Sequence, residues 1–278
     1  MKRIGTAVLM LCLGGVWPAA SAEESADRQQ IDEIERRQEI LADEVRRLRE
    51  ALVLPETKEL KSHYGLGPAA SKVYTLEKGL SIGGYGEYNY RKAVADEGTT
   101  RDEFDFVRFV LYVGYKFNDW IVLNTETEIE HAFTKSTESS DAGEVALEFA
   151  NLDFLLDPRA NFRVGLLLVP MGFLNEVHEP PFYHGNDRPT VEREIIPTTW
   201  RANGFGFHGE LFEGLTYRTY GISGLNALGF RSNGIREGRQ RGNREIAEDL
   251  AWVGRADYSF LPGTLIGGSA YVGNSGQD

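Results

Sequence analysis

Arginine and acidic side chains recur through the middle and end of this chain, and their spacing is what first suggests a chemical role. Five arginines lie in segments where polar and apolar residues alternate, and a sixth lies in a long connection between two such segments. Because successive side chains of a strand point to opposite faces, the five are predicted to share the water-facing side of their strands. Charged rows of this kind select solutes at a pore constriction. The candidate pore-lining and selectivity residues are Arg108, Arg163, Arg193, Arg201, Arg218, Arg255, Glu126, Glu128 and Glu130.

These arginines allow two interpretations. Facing rows of arginine and acid would create a transverse field that orients solutes without giving strong anion selectivity. Alternatively, each arginine forms a structural ion pair on the inner wall. A further segment, Arg231–Arg244, contains five arginines and one acid, Glu237. We expect it to be a solvated external loop that contacts lipopolysaccharide phosphates, with recruitment of anionic solutes as the other interpretation.

Histidine and serine side chains show no recognisable catalytic or metal-binding pattern. His178 and His184 lie six residues apart across two prolines, a spacing that fixes no coordination geometry. No serine lies in a nucleophile-elbow sequence. We therefore predict a protein that is not an enzyme, with no catalytic residue, no metal and no cofactor.

Nine segments with a period of two are predicted to be β-strands. In the third of them Ile121 and Leu123 oppose Asn124 and Glu126 across the strand, so that one face suits lipid and the other suits water. A tilted strand that crosses an outer membrane needs about 9–11 residues, which matches these segments. The segments are residues 80–91, 104–117, 120–130, 144–156, 161–170, 204–212, 215–222, 249–260 and 264–273.

The connections between these segments alternate between short turns and long polar loops. Asn118-Asp119 and Asp157-Pro158 are short turns, whereas residues 92–103, 131–143, 170–203 and 224–248 are long. Outer-membrane barrels have short periplasmic turns and longer external loops. We therefore predict an all-β fold, an antiparallel transmembrane β-barrel over residues 79–278.

The longest of the predicted connections is the loop at residues 170–203. After Pro170 it contains four further prolines and several aromatic residues, which favours a packed loop that narrows a pore. In the preceding strand, alternation places Arg163 towards the interior and Leu168 towards lipid. In the strand before that, the phase slips near Phe149 and Ala150, which predicts a β-bulge.

The first 22 residues have the features of a secretory signal peptide. Lys2 and Arg3 precede an apolar run, and Ala20-Ser21-Ala22 forms a small-x-small cleavage site. Cys12, the only cysteine of the sequence, lies within this signal. Removing Lys2 and Arg3 takes the formal net charge from −12 to −14, which argues against a nucleic-acid partner.

Residues 23–54 are predicted to form a periplasmic coiled coil. Positions spaced alternately three and four residues apart are apolar except for Gln38, and the positions around them are charged. The series is Ile31, Ile34, Gln38, Leu41, Val45, Leu48 and Leu52. The composition of this seam favours a homotrimer, while an amphipathic helix lying on its own domain is the other interpretation. Residues 55–78, rich in Gly and Pro, are predicted to be a linker.

Several short motifs together resemble those of the phosphate-selective porin O and P family. A strand with Arg108 leads through a short turn to Asp119-Trp120, and Arg163-Val-Gly165 is followed by Pro170-Met-Gly-Phe173. Glu192-Arg193 and Trp200-Arg201 then lead to Gly204. The resemblance covers about residues 80–273. It implies a sixteen-stranded trimeric barrel whose third external loop folds inward.

The sequence departs from this family in two respects. Phosphate-selective members carry a lysine-rich loop, whereas Met171–Trp200 has no lysine and five acidic residues. The nine predicted strands are also fewer than such a barrel needs, so we expect the barrel to be truncated at the C-terminus and further strands to follow in the intact gene product.

The principal hypothesis is a homotrimeric outer-membrane porin. It would allow passive diffusion of small hydrophilic, in particular phosphate-like anionic, solutes through a lumen narrowed by residues 170–203, with outer-membrane lipid and lipopolysaccharide as its other partners. The alternative is a structural outer-membrane anchor that tethers the envelope through its coiled coil, with peptidoglycan as partner. An outer-membrane hydrolase is a third hypothesis.

Overall fold

The structure is a computed structural model that describes residues 19–52, 60–92, 94, 102–132, 143–197 and 199–277. Most of the predicted signal peptide lies outside the described residues. The chain divides into two compact units, Met1–Glu59 and Leu60–Asp278.

The first unit contains the long helix α1, Ala19–Leu52. Charged residues one turn apart support it: Arg37 lies 3.0 Å from Glu33, and Arg47 lies 3.1 Å from Asp43. The apolar positions predicted to form a seam are exposed on the single chain, with Leu41 at 59%. Among the described residues, no helix combines the length and the apolar character required to cross a membrane.

The second unit is built on one nine-stranded antiparallel sheet in which the strand order follows the chain order. The predicted all-β class is confirmed, and each predicted strand segment corresponds to one observed strand. The strands are β1 Gly79–Arg91, β2 Glu103–Lys116, β3 Ile121–Glu130, β4 Val145–Asp157, β5 Ala160–Leu168, β6 Arg201–Phe212, β7 Leu215–Ser223, β8 Leu250–Leu261 and β9 Thr264–Gly273.

Because successive strands run in opposite directions, the four short turns lie at one end of the sheet and the four long connections at the other. The short turns have local causes. Asn118 Oδ1 accepts hydrogen bonds from the amides of Trp120 and Ile121, at 3.0 and 2.8 Å. Gly214 and Gly263 have φ of +83° and +75°, a conformation that favours glycine.

The predicted bulge in β4 is confirmed. Glu126 pairs with Phe149, but the next residue, Thr127, pairs with Leu147, so Glu148 is the extra residue. The bulge therefore lies one to two residues before the predicted slip at Phe149 and Ala150.

The two faces of the sheet have opposite polarity. One face carries the charged side chains, and they are buried: Asp153, Arg163 and Arg218 are 0%, 3% and 7% exposed. The other face carries large apolar side chains that are exposed, among them Phe109, Phe205 and Trp252. A water-soluble antiparallel sheet usually buries its apolar face and exposes its polar one. Here the exposed face is the apolar one, and the buried face combines charged side chains with two apolar clusters.

Residues 60–78, which we call the strap, lie on the charged face. Leu66 and Val73 are each 2% exposed and belong to an apolar cluster with Val110, Val122 and Phe149 of the sheet. Residues 60–78 of the predicted linker are therefore packed on the sheet and belong to the same compact unit, whereas residues 55–59 lie outside the described residues. The first strand begins at Gly79, the residue at which the barrel is predicted to start. Gly65, Gly67 and Pro68 suggested a flexible linker, but the apolar residues between and after them supply buried contacts.

A second apolar cluster lies under the start of the loop at residues 170–203. Its largest members are Trp200, Tyr220, Leu167, Ile222 and Leu225. Leu168, predicted to face lipid, is instead buried in the cluster beneath the strap. The backbone at Gly165 has φ of +135°, so the strict alternation of β5 is interrupted before Leu168.

Candidate functional site

The centre of the charged face is the pair Arg163 and Asp153, on the neighbouring strands β5 and β4. Arg163 Nε and one terminal nitrogen lie 2.6 and 2.9 Å from the two carboxylate oxygens, a bidentate arrangement. The hydroxyl of Tyr74, in the strap, donates to the same carboxylate. His208 Nε2 on β6 lies 3.4 Å from it. Four elements therefore meet at one buried carboxylate.

Arg108 and Arg201 are also paired with carboxylates, nearer the long connections. Arg108 on β2 lies 2.8 Å from Glu87 and 2.6 Å from Glu128, on the strands at either side. Arg201 on β6 donates to both oxygens of Glu148, at 2.7 and 2.8 Å. Glu148 is the extra residue of the β4 bulge, so the bulge places this carboxylate where the arginine can reach it.

Arg218 and Arg255 share the carboxylate of Asp257. Arg218 lies 2.5 Å from it and 2.9 Å from Glu176, a residue of the loop 170–203. Arg255 lies 2.7 Å from the same Asp257 and donates to the carbonyl oxygen of Gly172. The loop is thus attached to the charged face at two points.

The remaining candidates, Arg193, Glu126 and Glu130, lie in different surroundings. Arg193 is half exposed, pairs with Glu194 at 2.9 Å, and lines a cavity of about 180 Å³ together with Arg108 and Glu130. Glu126 is 1% exposed, and within the described part of the chain its carboxylate oxygens make no hydrogen bond.

His178 is the nearest basic group to Glu126, with Nε2 3.4 Å from Oε1. Burial disfavours the charged imidazole, but the carboxylate of Glu126 raises the pKa of His178 above its usual value. The neighbouring Glu179 accepts hydrogen bonds from the amides of Ala69 and Ala70 in the strap. Burial raises the pKa of Glu179, although these amides oppose the shift.

The structure thus brings every strand arginine among the candidates into contact with a carboxylate. Of the two interpretations that the sequence left open, structural ion pairing describes what these five side chains do. Facing charges of opposite sign also produce a transverse field, so the two interpretations are compatible once the pairs line a passage.

Sequence reasoning did not find several residues of this network. Glu148, Asp153, Glu176 and Tyr74 were not among the candidates. Asp153 gave a detectable signal, since an isolated acid in the apolar run 152–156 needs a buried partner. Glu176 and Tyr74 lie outside the strands, and no local pattern indicates their partners.

The described residues contain no group of three or more His, Cys, Asp or Glu side chains arranged to hold a metal ion.

Comparison with known proteins gives a relationship without a function. No model of a known protein family matches the chain. The chain is 42% identical over 230 residues to an uncharacterized protein of Aquifex aeolicus (strain VF5). The match covers 82% of this chain and 51% of that protein, so the chain spans about half the length of the relative it matches.

Proposed function

We propose that this protein is an outer-membrane porin, in which the sheet forms part of the wall of a closed barrel and small hydrophilic solutes diffuse along its charged face. The proposal includes a homotrimer held in part by a periplasmic coiled coil of α1. It also includes membership of the phosphate-selective porin O and P group that the sequence motifs resemble.

The observation that carries the proposal is the inverted polarity of the sheet. Monomeric soluble proteins rarely expose apolar patches larger than a few hundred Å². Here one whole face of the sheet exposes aromatic and aliphatic side chains, while arginines and carboxylates are buried on the other. A membrane-spanning barrel has an outward apolar band and a polar interior, and it leaves no strand edge unpaired in lipid. The exposed apolar side chains include Leu80, Ile82, Phe104, Phe106, Phe109, Val113, Tyr115, Phe205, Phe207, Trp252, Tyr258 and Ile266.

The segments that lie on the charged face support a narrowed passage. The loop 170–203 is attached to that face through Glu176 and Gly172, as a constriction loop would be. Because the wall arginines are paired with carboxylates, the proposed selection is by size and by a transverse field. Phosphate-like anions are among the solutes proposed to pass. The arginine-rich segment Arg231–Arg244, in the connection between β7 and β8, is proposed to attract them.

The test is reconstitution of the full-length protein in a planar lipid bilayer. We expect stepwise increases in ion conductance. A reversal potential under a salt gradient gives the sign of the selectivity, and replacing chloride by phosphate on one side tests passage of that anion. Absence of any conductance from folded, inserted protein would contradict the porin proposal.

A second candidate, a structural anchor of the envelope, is favoured by a different observation. Helix α1 forms a compact unit of its own, and its apolar seam is exposed on the single chain. Such a helix is suited to bind copies of itself or a component of the cell wall. In this version the sheet serves only to hold the protein in the membrane, and peptidoglycan is the proposed partner.

A further inference from the structure

We infer that the strap, residues 60–78, is an internal obstruction of the pore that can leave its seat and thereby widen the passage. The inference rests on the proposed porin function and adds to it a second narrowing element besides the loop 170–203. It concerns the one segment of the second unit that precedes the sheet and yet lies on its charged face.

The strap is attached across several strands of the charged face. Its Tyr74 hydroxyl donates to Asp153 on β4, and its Ala70 carbonyl oxygen accepts from Asn124 Nδ2 on β3, at 2.8 Å. Its Leu76 carbonyl oxygen accepts from Lys116 Nζ on β2, at 2.6 Å. Because β2, β3 and β4 are neighbours in the sheet, a segment with partners on all three crosses the strands on the charged face.

The strap also contacts the loop 170–203. Glu179 Oε1 lies 3.1 Å from the amide nitrogen of Ala69 and 3.3 Å from that of Ala70. A Cβ at Gly65 would lie 2.8 Å from Glu176 Oε1, so strap and loop are in direct contact there. Since strap and loop touch each other on the charged face, solutes that follow this face must pass beside both.

Water can replace most of the polar contacts that hold the strap. The hydrogen bonds from Asn124 and Lys116 and to Glu179 each join a side chain to a backbone group of the strap, and water can take the place of either partner in a hydrated lumen. The apolar anchoring comes from Leu66, Ala70, Val73 and the ring of Tyr74. The strap contains no strand of the sheet, whereas every strand pairs with at least one neighbour along its length. Segments outside such pairing open at lower free energy than paired strands.

The experiment compares a locked strap with a released one in the full-length protein. For the lock, Val73→Cys and Gly114→Cys are combined, because a Cβ at Gly114 would lie 2.8 Å from Val73 Cβ. A small shift brings this pair to the Cβ separation of about 3.5–4.5 Å that a disulfide requires. The one cysteine of this sequence, Cys12, lies in the predicted signal peptide. The release variant is Tyr74→Phe with Asn124→Ala, which removes two wall contacts and leaves the sheet pairing intact.

Single-channel conductance in a planar bilayer is the readout, with heat-modifiable migration in SDS gels as the check on folding. We expect the release variant to conduct about twofold more than wild type or better, because conductance rises with the open cross-section. We expect the oxidised lock to show the lowest level without transitions to larger ones, and a reductant to restore the wild-type pattern. The single-cysteine variants are the controls and should not respond to oxidation.

The experiment can contradict this inference alone or the proposed function as well, and the two results differ. If wild type conducts and both folded variants conduct as it does, the strap is a fixed part of the wall and the inference is wrong, while the porin proposal stands. If folded wild type does not conduct, the proposed function fails and this inference fails with it.

Discussion

At the scale of single residues, Arg163 and Asp153 show how this protein can bury charge. Both are almost completely inaccessible, and each would be costly in a low-dielectric site without its partner. The bidentate contact, together with the Tyr74 hydroxyl, supplies strong hydrogen bonds to the carboxylate. We therefore expect the pair to stabilise the native structure mainly because neither charge is left buried without a partner.

Replacing Arg163 with Met should destabilise the protein by about 3–5 kcal/mol, because Asp153 would keep a buried charge without its main partner. The measurement is urea unfolding of the protein in detergent micelles, followed by heat-modifiable migration in SDS gels. The matched control is Arg193→Met, since the Arg193–Glu194 pair is half exposed and such pairs contribute about 0–1 kcal/mol.

A double variant separates pairing from packing. Combining Arg163→Met with Asp153→Leu should recover much of the lost stability, because no buried charge then remains. Equal destabilisation by Arg163→Met and Arg193→Met would contradict the importance given to the buried pair.

At the scale of elements, the β4 bulge affects a contact with another strand, and the α1 seam bears on association between chains. The bulge adds Glu148 to β4, and Glu148 neutralises Arg201 on β6. The α1 seam leaves Ile34 and Leu41 more than half exposed, although their burial would be favourable. The proposed association of α1 with copies of itself would bury this seam.

Introducing Ile34→Asp together with Leu41→Asp should abolish self-association through α1, because charged residues at seam positions cannot be buried between helices. Molar mass in detergent, measured by light scattering, should fall relative to wild type. Arg36→Asp, at an exposed position outside the seam, is the control and should leave the mass unchanged. An unchanged mass for the double variant would contradict a coiled coil of copies of this chain.

The same double variant distinguishes the two candidate functions. If the outer membrane separates from the cell wall while conductance per channel is unchanged, the anchor role is supported beside any pore.

At the scale of the whole molecule, the exposed apolar face is the feature on which the proposed membrane environment depends. Phe205 lies near the middle of β6 and is 58% exposed. In a bilayer this position would be near the midplane, where an arginine costs about 2–4 kcal/mol. In water an exposed apolar residue can be replaced by arginine at little cost.

Phe205→Arg should therefore lower the free energy of unfolding in lipid bilayers by about 2–4 kcal/mol. The measurement is denaturant unfolding in phospholipid vesicles, monitored by tryptophan fluorescence. Leu228→Arg is the control, because Leu228 lies in the connection between β7 and β8 and is already 82% exposed. A neutral Phe205→Arg variant would indicate that this face of the sheet does not contact lipid.

The sequence by itself determined the features that depend on local periodicity. The nine strands, the short turns and the β4 bulge all follow from alternation and turn residues within about ten neighbouring positions. The five strand arginines were grouped because they share one phase of that alternation, and each of them contacts a carboxylate. The helix was found for the same reason, through its spacing of three and four.

Only the tertiary structure decided which of these residues meet. Tyr74 reaches Asp153 across 79 positions of sequence, and Glu179 reaches Ala69 across 110. No local period indicates such contacts, because a segment without regular structure can lie on any surface whose polar groups form hydrogen bonds with those of the segment. The strap was therefore predicted to be a linker from its glycines and proline, and its place on the charged face emerged only from the burial of Leu66 and Val73 against the sheet.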